Sequence, residues 1–280
     1  KAALMPFHFW LPNAMVAPTP VSALLHAVAV VKAGVFTVLK VSIYVFGEDL
    51  LRETTARDVV LGVACVTIIV ASLIAMTKDN LKARLAYSTV AQLAYVTCGA
   101  MLANASGFMG AALQIPAHAA GKITLFMCAG AIYVATGLTN ISDMRGLGRR
   151  MPWVFTAFLI ASLSIIGVPP LVGGWPKYEL MQGGLDAGLA YVPTVLIISS
   201  LLNIAYLLPI PLLALMPPKG SPEPAAFKRP GGAPFFTVAA PCLTAALCLL
   251  MFFAVAPLSA FLEPVTNVAE ITANLQGETP

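Results

Sequence analysis

Charge is what this chain has least of. Of 280 residues, 10% are Asp, Glu, Lys or Arg, against 59% hydrophobic, and the mean hydropathy is +0.87. A soluble domain carries about 25% charged residues, so composition excludes a soluble globular fold and indicates a polytopic membrane protein. Paired cysteines are missing too. Cys65, Cys98, Cys128, Cys242 and Cys248 are scattered through apolar runs without ligand spacing, which argues against a zinc site or a disulfide framework. They read as small core hydrophobes. No redox motif is present, so no cofactor is expected on this chain. No signal peptide precedes the first apolar run, and the chain opens on Lys1 rather than Met. It is therefore expected to be a fragment whose N-terminal part lies elsewhere. The net charge of +4 carries topological information and does not point to nucleic acid.

What is present is organised around GFMGAALQIPAHAAGKITLFMCAGAIYVATG, from Gly107 to Gly137. It reads as a membrane-spanning helix with Lys122 at its middle, roughly 20 Å from either end. A lysine stem reaches only about 6 Å, so this one cannot snorkel to the surface. His118 and Gln114 precede it at successive turns, which puts an amide, a titratable ring and a buried cation on one face. Pro116 lies inside this stripe and predicts a kink and a freed carbonyl. Ionisable residues are costly to keep inside a membrane, so the stripe points to a polar path; a helix-packing hydrogen bond or a structural ion pair is the bland alternative.

Along the rest of the chain, Lys1–Pro20 holds four prolines and almost no charge, the composition of a broken, re-entrant segment. Val21–Gly47 gives a full span with His26 and Lys32 inside it, while Lys40 lies near its end and can snorkel. Gly47–Asp58 reads as a short acidic loop. Val59–Thr77 and Leu85–Leu102 are spans, the second with Ser88, Gln92 and Tyr95 along one face, either lining water or joining helices. After Pro152–Gly167 the run VPPLVGGWPKYELMQGG must interrupt a helix, and Lys177 and Glu179 follow the break directly. Lys177 could otherwise simply mark a membrane surface. Ala190–Met216 is a span kinked at Pro209 and Pro211, and Ala233–Val255 is the last.

Three connections, Lys78–Arg84, Thr139–Arg150 and Pro217–Gly232, are basic. The Gly47–Asp58 loop, the Ala103–Ser106 turn, the Gly183–Leu189 turn and the tail from Pro257 are neutral or acidic. The two sets alternate as seven crossings require, and the basic set is expected to be cytoplasmic.

The segment KAALMPFHFWLPNAMVAPTPVSALLHAVAVVKAGVF resembles the signature of the antiporter-like proton-conducting subunits. These are the large membrane subunits of complex I, of membrane hydrogenases and of Mrp-type cation:proton antiporters. LKARLAYSTVAQLAY, PAHAAGKITLFMCAG, MRGLGRRMP and GVPPLVGGWPKYEL match further motifs in the same order, so the resemblance covers residues 1–215. It implies an all-α polytopic bundle built from inverted five-helix repeats, each with one discontinuous helix. Residues 1–47 would end the first repeat, 48–216 would form the second, and 217–280 would hold a basic linker, a last transmembrane helix and an outward acidic tail. The resemblance further implies a proton path through Lys1, His26, Lys32, His118, Lys122 and Lys177; the stripe positions Gln114, Ser88 and Gln92 and the post-break Glu179 are read as its supporting residues. Gln114 stands where some relatives have histidine, and the membrane glutamate expected to pair with Lys1 is absent from this chain.

The first motif is nearest the D-type subunit of Mrp antiporters, which implies proton translocation as one subunit of a multisubunit cation:proton antiporter in a bacterial inner membrane. Complex I or a membrane hydrogenase is the alternative. The implied partners are other membrane subunits, the lipid bilayer, protons and sodium, with no nucleic acid. Burial disfavours the charged form of lysine, so a row of buried lysines bridged by water or His118 can pass protons on. A solute permease would instead need a polar and aromatic midplane cavity, and a scaffold subunit would use its lysines only to pair with acids on neighbouring chains.

Overall fold

The computed structural model describes residues 1–217 and 233–266, without the side chains of residues 25–27. The first segment is irregular, as its prolines dictate: turns lead to α1 (Trp10–Asn13) and a 3-10 turn (Ala14–Val16), and Ala17 and Pro18 are extended. Helix then begins at α2 (Thr19–Val21) and runs through a π-helical stretch (Ser22–Ala29), α3 (Val30–Val41), a second π stretch (Ser42–Phe46) and α4 (Gly47–Glu53).

This last piece corrects the sequence reading of an acidic loop from Gly47 to Asp58. Gly47 turns the chain at φ +72°, and Glu48 and Arg52 then pair at i,i+4, a spacing that supports helix rather than loop. Only Thr54 is extended before α5 (Thr55–Thr77) starts. Arg52 donates to Ala103 O at 2.9 Å, and Arg57 donates to Met101 O at 2.8 Å and Leu102 O at 3.4 Å. Two guanidinium groups thus close the carbonyl end of α6 (Leu81–Leu102), where the helix dipole is negative.

Asparagines start the two central helices. Asn80 Oδ1 accepts from Ala83 N–H at 3.1 Å at the head of α6, and Asn104 Oδ1 accepts from Gly107 N–H at 2.7 Å at the head of α7 (Ala105–Thr136). Helix α7 continues through Pro116 as one element and stops at Gly137. It lies close against α6: a methyl group at Gly99 would sit 2.6 Å from Gly107 O, so only glycine permits this approach. After the short α8 (Leu147–Arg150), α9 (Pro152–Ile166) ends at Gly167, and α10 (Gly174–Asp186) resumes beyond the predicted break. The connecting loop presses back on α9 so tightly that a Cβ on Gly173 would lie 1.8 Å from Ser164 O. Then come α11 (Tyr191–Leu207), α12 (Pro209–Leu215), α13 (Phe235–Phe253) and α14 (Val255–Thr266). The expected acidic tail is therefore helical up to Thr266. The linker residues Lys219, Lys228 and Arg229, and Glu270 and Glu278 in the tail, lie outside the described residues.

Among the described residues six helices are long and apolar enough to cross a membrane, and Pro152–Ile166 is a shorter apolar helix. The seventh expected crossing is divided between α9 and α10. The chain is an all-α, multi-pass membrane protein. Its two ends are distinct. At one, the loops before α6 and after α7 are tied together: Leu81 N–H donates to Thr139 O and Ile141 N–H to Asp79 O, both at 2.9 Å. The Asp79 carboxylate also accepts from Ser142 Oγ at 2.7 Å. This is the basic end. At the other, Asn104 Nδ2 reaches Gly183 O at 2.7 Å and Ser106 Oγ reaches Asp186 at 3.1 Å. Helix α6 lies at the centre, with 94% of its apolar window buried, against 17% for α13.

Candidate functional site

The polar interior is built on the antiparallel pair α6 and α7. Lys122 is fully buried, and its Nζ donates to Ser88 Oγ at 2.6 Å and to Leu85 O at 3.2 Å. One turn along α6, Gln92 Oε1 accepts from Gln114 Nε2 at 2.7 Å. The stripe read from α7 and the stripe read from α6 therefore face one another.

His118, between Gln114 and Lys122, hydrogen-bonds Lys32 of α3 through Nδ1. With the lysine donating, Nδ1 accepts and Nε2 carries the ring proton; Nε2 is buried without a partner. Gln92 Nε2 and Ser164 Oγ are likewise buried and unpaired. All three residues line one cavity of about 10 Å³ that Gly173 and Gln114 also border. Its volume suits a single water molecule, and three polar groups around it meet the hydrogen bonds such a water makes.

From Ser88 a second line of groups runs to α11. Tyr206 Oη is 2.8 Å from Ser88 Oγ and also hydrogen-bonds Asn203 Oδ1. Each hydroxyl has one proton to give, so the ordering that satisfies every bond is Lys122 to Ser88, Ser88 to Tyr206, Tyr206 to Asn203. Asn203 Nδ2, Ser199 Oγ one turn back, and Tyr95 Oη are all buried and unpaired. Tyr95 presents its ring to Lys177, whose Nζ lies 5.5 Å from the ring centre. Lys177 Nζ donates to Ser200 Oγ at 3.0 Å and to Ile166 O at 2.7 Å. Ile166 is the last residue of α9, so the break supplies the carbonyl end of a half-helix to a buried cation.

Thus Lys32 and His118 meet, Lys122 meets Ser88, Gln114 meets Gln92, and Lys177 stands at the helix break. Lys1 is exposed; its backbone crosses Gly34, where a Cβ would come within 2.6 Å. Glu179 is half-buried beside Gly110 and does not pair with Lys177. The His26 side chain lies outside the described residues. Lys40 is exposed, as expected of a snorkelling residue. Lys32, Lys122 and Lys177 bond to a histidine ring, hydroxyls and carbonyls, whereas Arg52–Glu48 and Arg57–Asp58 are ion pairs.

The family described as "NADH:quinone oxidoreductase/Mrp antiporter, TM" matches residues 1–203. The chain belongs to this family. Among curated relatives, "NADH-quinone oxidoreductase subunit N" of Desulforudis audaxviator is 34% identical over 271 residues, 95% of this chain and 53% of the relative. A probable K(+)/H(+) antiporter subunit of Rhizobium meliloti is 36% identical over 205 residues, 70% of this chain and 20% of the relative. The chain spans about half the length of the first of these. Two solved structures share the fold. The Mrp complex from Dietzia sp. gives a TM-score of 0.80 at 21% identity, covering 97% of this chain and 59% of its counterpart. Respiratory complex I from Thermus thermophilus gives 0.72 at 26%, covering 95% and 56%.

Within this antiporter-like chain the family match ends at residue 203, so Tyr206 lies just beyond it. Sequence reasoning passed over Ser199, Ser200, Asn203 and Tyr206. Their signal was present: polar residues at i, i+4 and i+7 on an otherwise apolar helix, the same pattern noted on α6.

Proposed function

We propose that this chain moves protons through the membrane along the buried row Lys32–His118–Lys122–Lys177, with Ser88, Tyr206 and Asn203 bridging the last two lysines. The observation that carries the reading is the directional run of hydrogen bonds from Lys122 through Ser88 and Tyr206 to Asn203. A run of single hydroxyl and ammonium groups joined end to end suits repeated transfer of one small species. Lys1 belongs to the proposed path through the family resemblance alone, His26 through the resemblance and its place inside a span, and Glu179 through its place directly after the helix break. Gln92 and Gln114 support it by bordering the water-sized cavity at His118.

Residues 48–216 are read as one five-helix inverted repeat whose spans are α5, α6, α7, the divided α9/α10 and α11. The basic end faces the cytoplasm of a bacterial cell. The working unit is a multisubunit complex. Its finer identity is proposed as the D-type subunit of a cation:proton antiporter. The alternative, a pumping subunit of an NADH:quinone oxidoreductase, is favoured by the long match to subunit N. A dependence of flux on sodium without electron transfer separates the first from the second. A solute permease fits less well: a cavity of about 750 Å³ at the basic end, beside Lys82 and Thr139, is mostly apolar, and none of the buried lysines Lys32, Lys122 and Lys177 lines it.

The test is Lys122→Met in the complete complex. It exchanges a buried ammonium for an apolar chain of similar length, so assembly on native gels should persist. Proton translocation in reconstituted vesicles should stop, since methionine carries no proton. An assembled variant that pumps at the wild-type rate refutes the path. Poor assembly with normal flux in what assembles identifies a scaffold.

A further inference from the structure

The relay at Lys122 and Tyr206 needs to be closed to the basic end, and one residue stands there. Arg84 lies one turn before Ser88 on α6 and is half-buried. Its Nε donates to Lys78 O at 2.7 Å, Nη2 to Met76 O at 3.4 Å and Nη1 to Tyr206 O at 3.3 Å. Met76 and Lys78 close the carbonyl end of α5, and Tyr206 belongs to the last turn of α11. Two helix termini, each with a negative partial charge, therefore converge on a single guanidinium. Asp79 accepts from the backbone N–H and hydroxyl of Ser142 and acts on Arg84 through space rather than through a direct salt bridge.

Three carbonyl oxygens at the carbonyl ends of broken or finished helices are the usual makings of a site for a small cation at membrane depth. Here a tethered cation already fills it. It also lies directly beside the groups that continue inward: the carbonyl of Leu85, the next residue, accepts from Lys122, and the Tyr206 hydroxyl accepts from Ser88. An arginine never releases its proton in a protein, so it blocks the position without joining the relay. A fixed positive charge in such a place repels hydronium and metal cations alike.

We infer that Arg84 is an electrostatic seal: it occupies the carbonyl cluster at the basic end and denies cations from that side direct access to Ser88, Tyr206 and Lys122. Protons then reach Lys122 only along the row from Lys32 and His118. This rests on the proton-path reading above, and it assigns Arg84 a positioning and excluding role rather than a catalytic one.

The experiment compares Arg84→Gln and Arg84→Lys in the intact complex, reconstituted and idle, with a pH gradient imposed from the basic side. Arg84→Gln should raise the passive proton leak by about tenfold or more, since the repulsion from a unit positive charge beside the relay is lost. Arg84→Lys should stay near wild type. Guanidinium chloride added from the basic side should suppress the Arg84→Gln leak, which a purely structural role would not produce. Adding Lys122→Met should abolish the leak, because it runs through the same relay. An assembled Arg84→Gln complex with the wild-type leak, or a leak untouched by Lys122→Met, overturns the seal. If Lys122→Met alone still pumps, the path reading fails instead. Should Arg84→Gln not assemble, Ser88→Cys with Arg84 intact decides: a cationic thiol reagent applied at the basic side should not label it, and ready labelling overturns the proposal.

Discussion

Tyr206→Phe gives the relay its most economical test, because it deletes one oxygen and keeps the ring. The hydroxyl makes two hydrogen bonds, to Ser88 Oγ at 2.8 Å and to Asn203. Each is worth about 1 kcal/mol net, and leaving Asn203 Oδ1 buried without a donor adds about 1–3 kcal/mol. The total, about 3–5 kcal/mol, lowers thermal stability but leaves the packing of a fully buried ring unchanged. Ser88 would still accept from Lys122 but would have nothing to pass a proton to. The space freed by one hydroxyl is smaller than the roughly 30 Å³ share of a water molecule, so water does not restore the link. A positioned proton-transfer group is worth about 10²–10⁴ in rate, and flux should fall within that range. Proton uptake by reconstituted complexes, normalised to the amount assembled, measures it. Wild-type pumping in assembled Tyr206→Phe would falsify the claim that protons cross between Lys122 and Lys177 by this line.

Three further outcomes are expected. Lys177→Ala should abolish flux, whereas Lys177→Glu should retain part of it, because a carboxyl group can still exchange protons with Ser200; full flux in the alanine variant removes Lys177 from the path. Cysteine at position 149 should react with impermeant reagents from the cytoplasmic side and cysteine at 186 from the opposite side, and the reverse pattern overturns the topology. Gly173→Ala should disrupt the α9–α10 break, since its methyl group would meet Ser164 O at 1.8 Å; by hydrogen exchange the effect should centre on residues 167–174, and unchanged protection there contradicts the packing described.

Much of this interior was legible before the fold. Depth alone marked Lys122, and prolines and glycines marked the break that exposes Ile166 O to Lys177. The spacing of Gln114, His118 and Lys122 gave the correct face of α7. What could not be read is which faces meet. Lys32 and His118 are 86 positions apart and Lys122 and Ser88 are 34 apart, and only tertiary packing joins them. The α11 residues were missed for a different reason: single neutral polar groups in an apolar helix usually join helices, and nothing in Asn203 or Tyr206 taken alone distinguishes a link in a relay from such glue. The Gly47–Glu53 helix was misread because charge density outweighed the i,i+4 spacing of Glu48 and Arg52.

The central placement of α6 has a consequence for the membrane around it. A helix that touches lipid can tilt or shift when the bilayer thickens or thins. Helix α6 has almost no lipid-facing surface in this chain, while α13 is largely open. Mismatch in thickness is therefore taken up by the periphery, and α6 keeps its register against α7 and α11. Because Arg84, Ser88, Gln92 and Tyr95 all project from α6, the distances from these groups to Lys122, Gln114, Tyr206 and Lys177 are set by protein against protein. The geometry of the proposed relay is thus insulated from acyl-chain length, and a change of lipids with temperature or growth phase leaves these contacts in register.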